Sequence, residues 1–563
     1  MPELAVYNFS KGWHPEKPLH LLETGELAVA ENLTYRDNFI PEKRRGFELV
    51  RASYGTGAVL GMVRYKPAVG AARWVFAWDG DLFQMWDDDS ITAISGATGY
   101  ETTPVDFAIW KDTLFFTNGG DGLNSWDGTT LTDLTTATPS PLTQPAGFPI
   151  TGTVSAYDGG TLAISDGTKD FITLAVKVGD IITFTSGALD TETFTITKVE
   201  TSSLYVSESV TGLVATDTYS ISVALTTLNP APAGATYVCH FQDRLWLASS
   251  ILEPDKLFYS RLLDYNVWND IDTGINNSID ISIGDNQRIT GMVRAREHMT
   301  IFKERSMFYL MGYSPEDWKL ERISDDLGCI SHRSIAQLDS MTIWLSGRGV
   351  YMDDGNNFMR IGEGADTWIN AQSYAHREAT CAVISGIHYY LHFPDSTDGS
   401  VILDWNGRFK VWTKWVLPAS LTFSCLVSKD AYGDTPAWMG AGDTTVVFYT
   451  GDTGGLDHDL EIQAKLQPGL ISAGPQVECL LRRFIMDLDL DIEDRAQALI
   501  YKDDNPVSYA VNGNEPQIGV RLPRAQLYST LKVEISLLGT GTTSKIKGFV
   551  LESIPKRKTW GRR

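Results

Sequence analysis

Arg73-Trp-Val-Phe-Ala-Trp-Asp-Gly-Asp-Leu-Phe-Gln-Met-Trp86 decides the fold. Two short runs rich in aromatic and branched residues are joined by a polar turn. The pattern then recurs. Val105 to Asn118 repeats it and ends at Leu123–Gly128; Thr236 to Ala248 closes at Lys256–Ser260; Ile289 to Phe302 closes at Ser306–Leu310. Further copies run from Ser334 through Met341–Ser346 to Gly349–Met352, from Ala379 to Phe393 with Val401–Trp405, and from Leu421 to Val427 with Ala437-Trp438 and Thr445–Tyr449. With one insertion removed, the copies start roughly 32 to 53 residues apart, which brackets the 40 to 50 residues of a four-stranded propeller blade. One such unit cannot cover both of its faces, so units stack radially and bury them against each other. The reading is an all-β chain with a β-propeller of about seven blades. The alternative is a set of β-sandwiches with similar hairpins.

The repeat also divides the chain. Residues 1–131 hold an N-terminal segment and the first blades, and residues 235–455 the remaining blades. Between them, residues 132–234 begin with a Thr/Pro-rich linker (Thr135-Thr-Ala-Thr-Pro-Ser-Pro141) and continue as alternating strands at Val176–Phe184 and Thr193–Val199. They are read as an inserted small β-barrel or sandwich. Residues 456–563 carry five strand patterns and are read as a C-terminal β-sandwich with a basic tail. The best helix candidate is short, Asp366 to Tyr374.

Composition narrows the function. The 563 residues carry a net charge of −23, opposite to what tight phosphate binding needs. Five cysteines, Cys239, Cys329, Cys381, Cys425 and Cys479, are widely spaced with no CxxC pair. They are read as reduced thiols of a protein made in a cytoplasm, not as a zinc site. No basic and apolar leader opens the sequence, and no run of 18 apolar residues would span a membrane.

Each chemical candidate meets a physical objection. Asp487-Leu-Asp-Leu-Asp491 resembles the start of a calcium loop, but Ile492 stands where the sharp turn wants glycine and Ala498 where a carboxylate is needed. His388 and His392 sit on a strand, about 13 Å apart on one face, too far for one metal. HExxH, GxSxG and Walker motifs are absent, as are the Ser-x-Asp-x-Gly-x-x-Trp turns of sialidase-type propellers. Paired glycosidase carboxylates have no local signature, and no pair stands out. No catalytic residue, cofactor or metal is expected. Two basic patches, Lys43, Arg44 and Arg45 in an expected loop and Lys556, Arg557 and Lys558 in the tail, are candidates for docking an acidic neighbour.

A set of motifs carries a resemblance. Leu21, Gly25-Glu26, Glu31-Asn32-Leu33 and Arg44-Arg45-Gly46-Phe47 resemble the "LP-x-G…x-N…R-x-G" opening of many bacteriophage virion proteins. Lys256–Ser260 with Val267-Trp268, Ile301–Leu310, Leu327–Ser334, Trp344–Tyr351 and Phe358–Ile361 follow in an order similar to the propeller region of tail nozzle proteins of short-tailed phages, also called tail tubular protein B or tail hub proteins. The resemblance covers roughly residues 20–125 and 236–450. It implies a structural virion protein assembled in the bacterial host cytoplasm. That protein would be a homo-oligomeric, six-fold ring below the adaptor and portal, with tail fibres or spikes outside and genomic DNA passing through without tight binding. The net charge of −23 would then keep a carboxylate-lined channel from gripping DNA. A head-to-tail stopper, and a propeller enzyme or lectin acting on surface glycans, are the alternatives.

Overall fold

The structure is a computed structural model describing residues 3–557 except 37, 52, 137–146, 223–228, 270–275, 282, 283, 286, 339, 340, 356, 430–437, 443, 473–476, 503–510 and 514–516. Most of the expected linker, at 137–146, and Lys558 therefore lie outside the described residues. The chain is all-β, with short helices at Asp366–Ala371 and Tyr374–Glu378. It divides into two compact units: residues 1–135, 232–257 and 279–563 form one, and residues 136–231 with 258–278 form the other.

In the first unit, antiparallel four-stranded groups follow one another along the chain. The first is Gly61–Tyr65, Arg73–Trp78, Asp81–Met85 and Ile91–Ala93; the second runs from Asp106–Trp110 to Leu131–Asp133. The third begins with Tyr237–Phe241 and Arg244–Ala248, the fourth spans Ile289 to Ser324 and the fifth Ala336 to Arg360. The sixth is Cys381–Ser385, His388–Ser396, Gly399–Asn406 and Val411–Val416. The seventh has three consecutive strands, Phe423–Ser428, Trp438–Gly442 and Phe448–Thr453, and takes its fourth, Gly46–Arg51, from the opposite end of the sequence.

The first strands of these groups lie side by side. Gly61–Tyr65 neighbours Asp106–Trp110, then come Tyr237–Phe241 and Ile289–Arg294. Gln337 Nε2 donates to Arg294 O and links to the fifth group. Ala336–Leu338, Cys381–Ser385 and Phe423–Ser428 follow, and the last returns to Gly61–Tyr65. This is a propeller-type arrangement, with an apolar layer between successive sheets. Trp74, Phe76, Phe83 and Phe448 fill the layer between the seventh and first, and Tyr390, Trp415, Phe423 and Trp438 that between the sixth and seventh.

The C-terminal region is a sandwich that uses both ends of the chain. One sheet is ordered Leu33–Thr34, Glu42–Lys43, Lys545–Arg557, Val477–Asp489 and Gln517–Tyr528, with Glu3–Val6 also on Lys545–Arg557. The other contains Glu26–Glu31, Ala464–Pro468, Thr530–Gly539 and Asp494–Lys502. Alternation along Val477–Asp489 turns Leu481, Phe484, Met486 and Leu488 onto Val533, Ile535 and Leu537 of the facing sheet. The N-terminal segment is thus shared: Glu3–Val6, Leu33–Thr34 and Glu42–Lys43 pair with the sandwich, and Gly46–Arg51 joins the seventh propeller sheet. The second sandwich sheet also runs, through a parallel bridge between Glu31 and Lys414, into the sixth propeller sheet.

In the second compact unit, seven strands between Ile150 and Ser222 pair in one ladder around Ile164, Ile182, Phe184, Ile196, Leu204 and Ile221. Tyr219 donates its hydroxyl proton to the buried Asp166 at 2.7 Å.

Candidate functional site

Lys43 and Arg44 do not form a surface patch. Both side chains are 0% exposed. The expected loop is partly a strand, Glu42–Lys43, sealed by the sandwich. A buried cation needs a partner, and each has one. Lys43 Nζ donates to Asp494 Oδ1 at 2.8 Å and to Gly539 O at 2.7 Å. Arg44 forks onto both oxygens of Asp457, its Nη1 donating at 2.7 Å, and its guanidinium lies over Trp415 and Phe47. Arg45 alone of this patch is half-buried. In the tail, Lys556 and Arg557 end the last strand, in register with Glu478 and Val477.

These partners make a knot. Asn32, in a left-handed conformation (φ 54°), accepts from Arg44 Nε and from Val416 N with its side-chain oxygen, both at 2.9 Å, and donates to Gln463 O at 2.8 Å. Its backbone N–H donates to Lys414 O, and its carbonyl accepts from Arg44 N. Arg36 forks onto Asp452 of the seventh sheet and also pairs with Glu42, which pairs with Lys545. Asn32, Arg44 and Gly46, three of the residues in the opening part of the sequence resemblance, therefore meet where the sixth and seventh sheets join the sandwich. Asp457 and Asp494, the partners of Arg44 and Lys43, carry no local sequence signal.

Glycine is required at position 46 by close approach. A Cβ there would sit 1.8 Å from the carbonyl oxygen of Leu456. Gly46→Ala must push two backbones apart and is expected to cost about 2–3 kcal/mol, read as a lowered thermal unfolding midpoint.

His388 and His392 lie on one strand, His388–Ser396, and serve different partners. His388 Nδ1 meets Asp404 Oδ1 at 2.6 Å, and Asp404 Oδ2 accepts from Thr34 at 2.8 Å. Burial works against the imidazolium, but the Asp404 carboxylate outweighs it and raises His388 above the ordinary histidine value. His392, between Ser400 and Cys381, has no such carboxylate, and burial pushes it down to about 3. The unfolded chain takes up a proton near pH 6.5 that folded His392 refuses. Its contribution to stability is therefore complete above about pH 6.5 and lost as pH falls toward 3, at about 1.4 kcal/mol per pH unit. His388 runs oppositely: its contribution is complete below about pH 6.5 and lost as pH rises through its raised value. His392→Gln is expected to shrink the stability difference between pH 6.5 and 5.5 by about 1 kcal/mol, measured by denaturant titration at both pH values.

Asp487-Leu-Asp-Leu-Asp491 is the end of a strand and the start of a turn. Among the described residues, no group of three or more His, Cys, Asp or Glu side chains is placed to hold a metal ion. None of the described helices is long and apolar enough to cross a membrane.

A concavity of about 610 Å³ opens between the fifth and sixth sheets and the N-terminal segment. Trp13, Ile343, Met352, Tyr389, Trp405 and Trp412 line it. Arg408 and Lys410 stand at its edge on the hairpin between Gly399–Asn406 and Val411–Val416. Its residues come from four separate segments, so no local motif announces it. A second polar grouping lies among the first strands of the propeller. There His332 Nε2 meets Asp106 Oδ1 at 3.2 Å, and Asp106 Oδ2 accepts from Val238 N at 2.9 Å.

No family model matches the chain, and no curated protein matches it. Among solved structures, BBS1N in complex with ARL6DN is 11% identical with a TM-score of 0.26, covering 73% of this chain and 98% of that one. Virginiamycin B lyase from Staphylococcus aureus is 8% identical with a TM-score of 0.26, covering 61% and 93%. The AfRom2 CNH domain is 7% identical with a TM-score of 0.30, covering 72% and 98%. Likenesses at this level say nothing of activity, ligand or partner.

Proposed function

We propose that the chain is a structural ring protein of a virus particle, the tail nozzle or hub of a short-tailed bacteriophage, and that it works by assembly and not by catalysis. The observation that carries this reading is what the motif residues do. Asn32, Arg44 and Gly46, three of the residues in the opening part of the virion-protein resemblance, are spent on a buried knot that fastens propeller to sandwich. None of the three lines the large cleft. A frame that must transmit force needs such ties. The parallel bridge between Glu31 and Lys414, from the sandwich into the sixth blade, supplies another.

On this reading the protein forms a homo-oligomeric, six-fold ring in the virion after assembly in the host cytoplasm. Its neighbours are adaptor or portal-side tail proteins and the fibres or spikes mounted outside. DNA passes transiently, and a net charge of −23 disfavours its retention. Negative-stain microscopy of the purified full-length protein tests this. Rings or stacked collars are expected. Single particles that cleave or bind surface glycans would overturn it in favour of a propeller enzyme or lectin.

A further inference from the structure

One turn of the sandwich is built unlike a solvated loop. Asp494 N donates to Asp491 O at 3.0 Å, which places Ile492 and Glu493 at the two corners. Corners of turns are ordinarily polar or glycine, yet Ile492 is 91% exposed and so touches almost nothing in its own chain. The turn is rigid. Asp491 N donates to Ser544 Oγ at 2.8 Å, Asp491 Oδ2 accepts from Thr542 N at 3.2 Å, and Glu493 accepts from the Thr540 hydroxyl. Asp489, Asp491 and Glu493 surround the isoleucine with negative charge, and among the described residues none of them has a cation within ion-pair distance.

The large cleft has the complementary character. Its walls are aromatic and methionine-rich, and two of its lining side chains stay exposed, Met359 at 38% and Ile387 at 43%. Phe39 and Phe409, rings 4.5 Å apart, lie beside the Arg408 hairpin. That hairpin is also rigid: Asn406 Oδ1 accepts from Arg408 N and Phe409 N, both at 2.9 Å, and Lys410 N donates to Asn406 O at 2.7 Å. Arg408 and Lys410 are exposed, and among the described residues neither has a carboxylate within ion-pair distance. The lining carries Lys11, Arg360, Arg408 and Lys410 against one carboxylate, Glu363, so the cleft is cationic on a chain of net charge −23. A volume of about 610 Å³ takes a whole turn and not only one side chain.

We propose that the Ile492 turn of one copy docks in the Trp405–Met352 cleft of a second copy, with its carboxylates against Arg408 and Lys410. Both surfaces are pre-organised, so little ordering opposes the contact, and opposite charge fixes its register. The two patches differ, so the contact is head-to-tail, the type that closes into a ring when the rotation allows. The inference deepens the ring reading and rests on it.

The test mixes two full-length variants, Ile492→Cys and Met359→Cys, under mild oxidation. The native cysteines are buried or, at Cys239, half-buried. A cross-linked dimer is expected from the mixture, and none from wild type or from Ile492→Cys mixed with Val69→Cys, whose cysteine lies on an exposed surface elsewhere. Ile492→Asp is expected to weaken self-association at least about tenfold, with an unchanged circular dichroism spectrum. Rings on the grid with no cross-link, and self-association unaffected by Ile492→Asp, overturn the docking and leave the ring reading standing. Cross-linked chains that never close into rings support the docking and overturn the ring. A chain that stays single at every concentration overturns both.

Discussion

Removing residues 1–51 is expected to abolish the folded first unit, not to trim it. Those residues supply the outer strand of the seventh sheet, where Leu49 pairs with Tyr449 and Phe47 with Gly451. They also supply Glu3–Val6, Leu33–Thr34 and Glu42–Lys43 to one sandwich sheet and Glu26–Glu31 to the other. Phe9, Trp13, Leu27, Leu33, Tyr35 and Phe47 are all buried. At about 1.5–3 kcal/mol per large apolar side chain, their loss amounts to on the order of 10 kcal/mol, comparable to the whole stability of an ordinary domain. The strands left behind would present long unpaired edges, which aggregate. The truncated protein is expected in the insoluble fraction on expression. A soluble truncation with native circular dichroism would contradict the account.

Arg44→Ala is the point substitution with the largest expected effect. It leaves Asp457 buried without its cation and Asn32 without one of its donors. Breaking one side of a buried, hydrogen-bonded ion pair costs about 3–5 kcal/mol. Asp457→Ala should cost about as much, because it strands the guanidinium instead. Removing both charges together, as Arg44→Met with Asp457→Leu, is expected to cost clearly less than the two single effects added, since no charge is left unpaired. Thermal unfolding of the three variants measures this. Single variants within about 0.5 kcal/mol of wild type would show that the knot is not a tie.

The hairpins were legible because their turns are local. Asp79-Gly80, Lys111-Asp112 and Gln242-Asp243 all take the paired left-handed geometry that hairpins require. The strand number within a blade was not legible. Arg73–Trp86 holds the second and third strands of its sheet, whereas Val105–Asn118 holds the first and second, and the two hairpins look alike in sequence. Outer strands were invisible. Ile91–Ala93, Leu131–Asp133 and Phe358–Arg360 are short and largely exposed, so burial imposes no pattern on them. The fourth strand of the last sheet lies some four hundred residues from its partners, and a pairing that distant leaves no periodicity.

The sandwich strands at Val477, Asp494, Thr530 and Lys545 were readable from alternation. The strands lent by the N-terminus were not, since Leu33–Thr34 and Glu42–Lys43 are two residues each. The basic run at 43–45 misled for a related reason. Charge in sequence predicts exposure only when no buried carboxylate waits, and Asp457 and Asp494 are more than four hundred residues away.

Native mass spectrometry of the purified full-length protein reads ring formation without further assumptions. A closed ring is expected, six times the 62.2 kDa chain. A mass of 62.2 kDa at every concentration examined would contradict it.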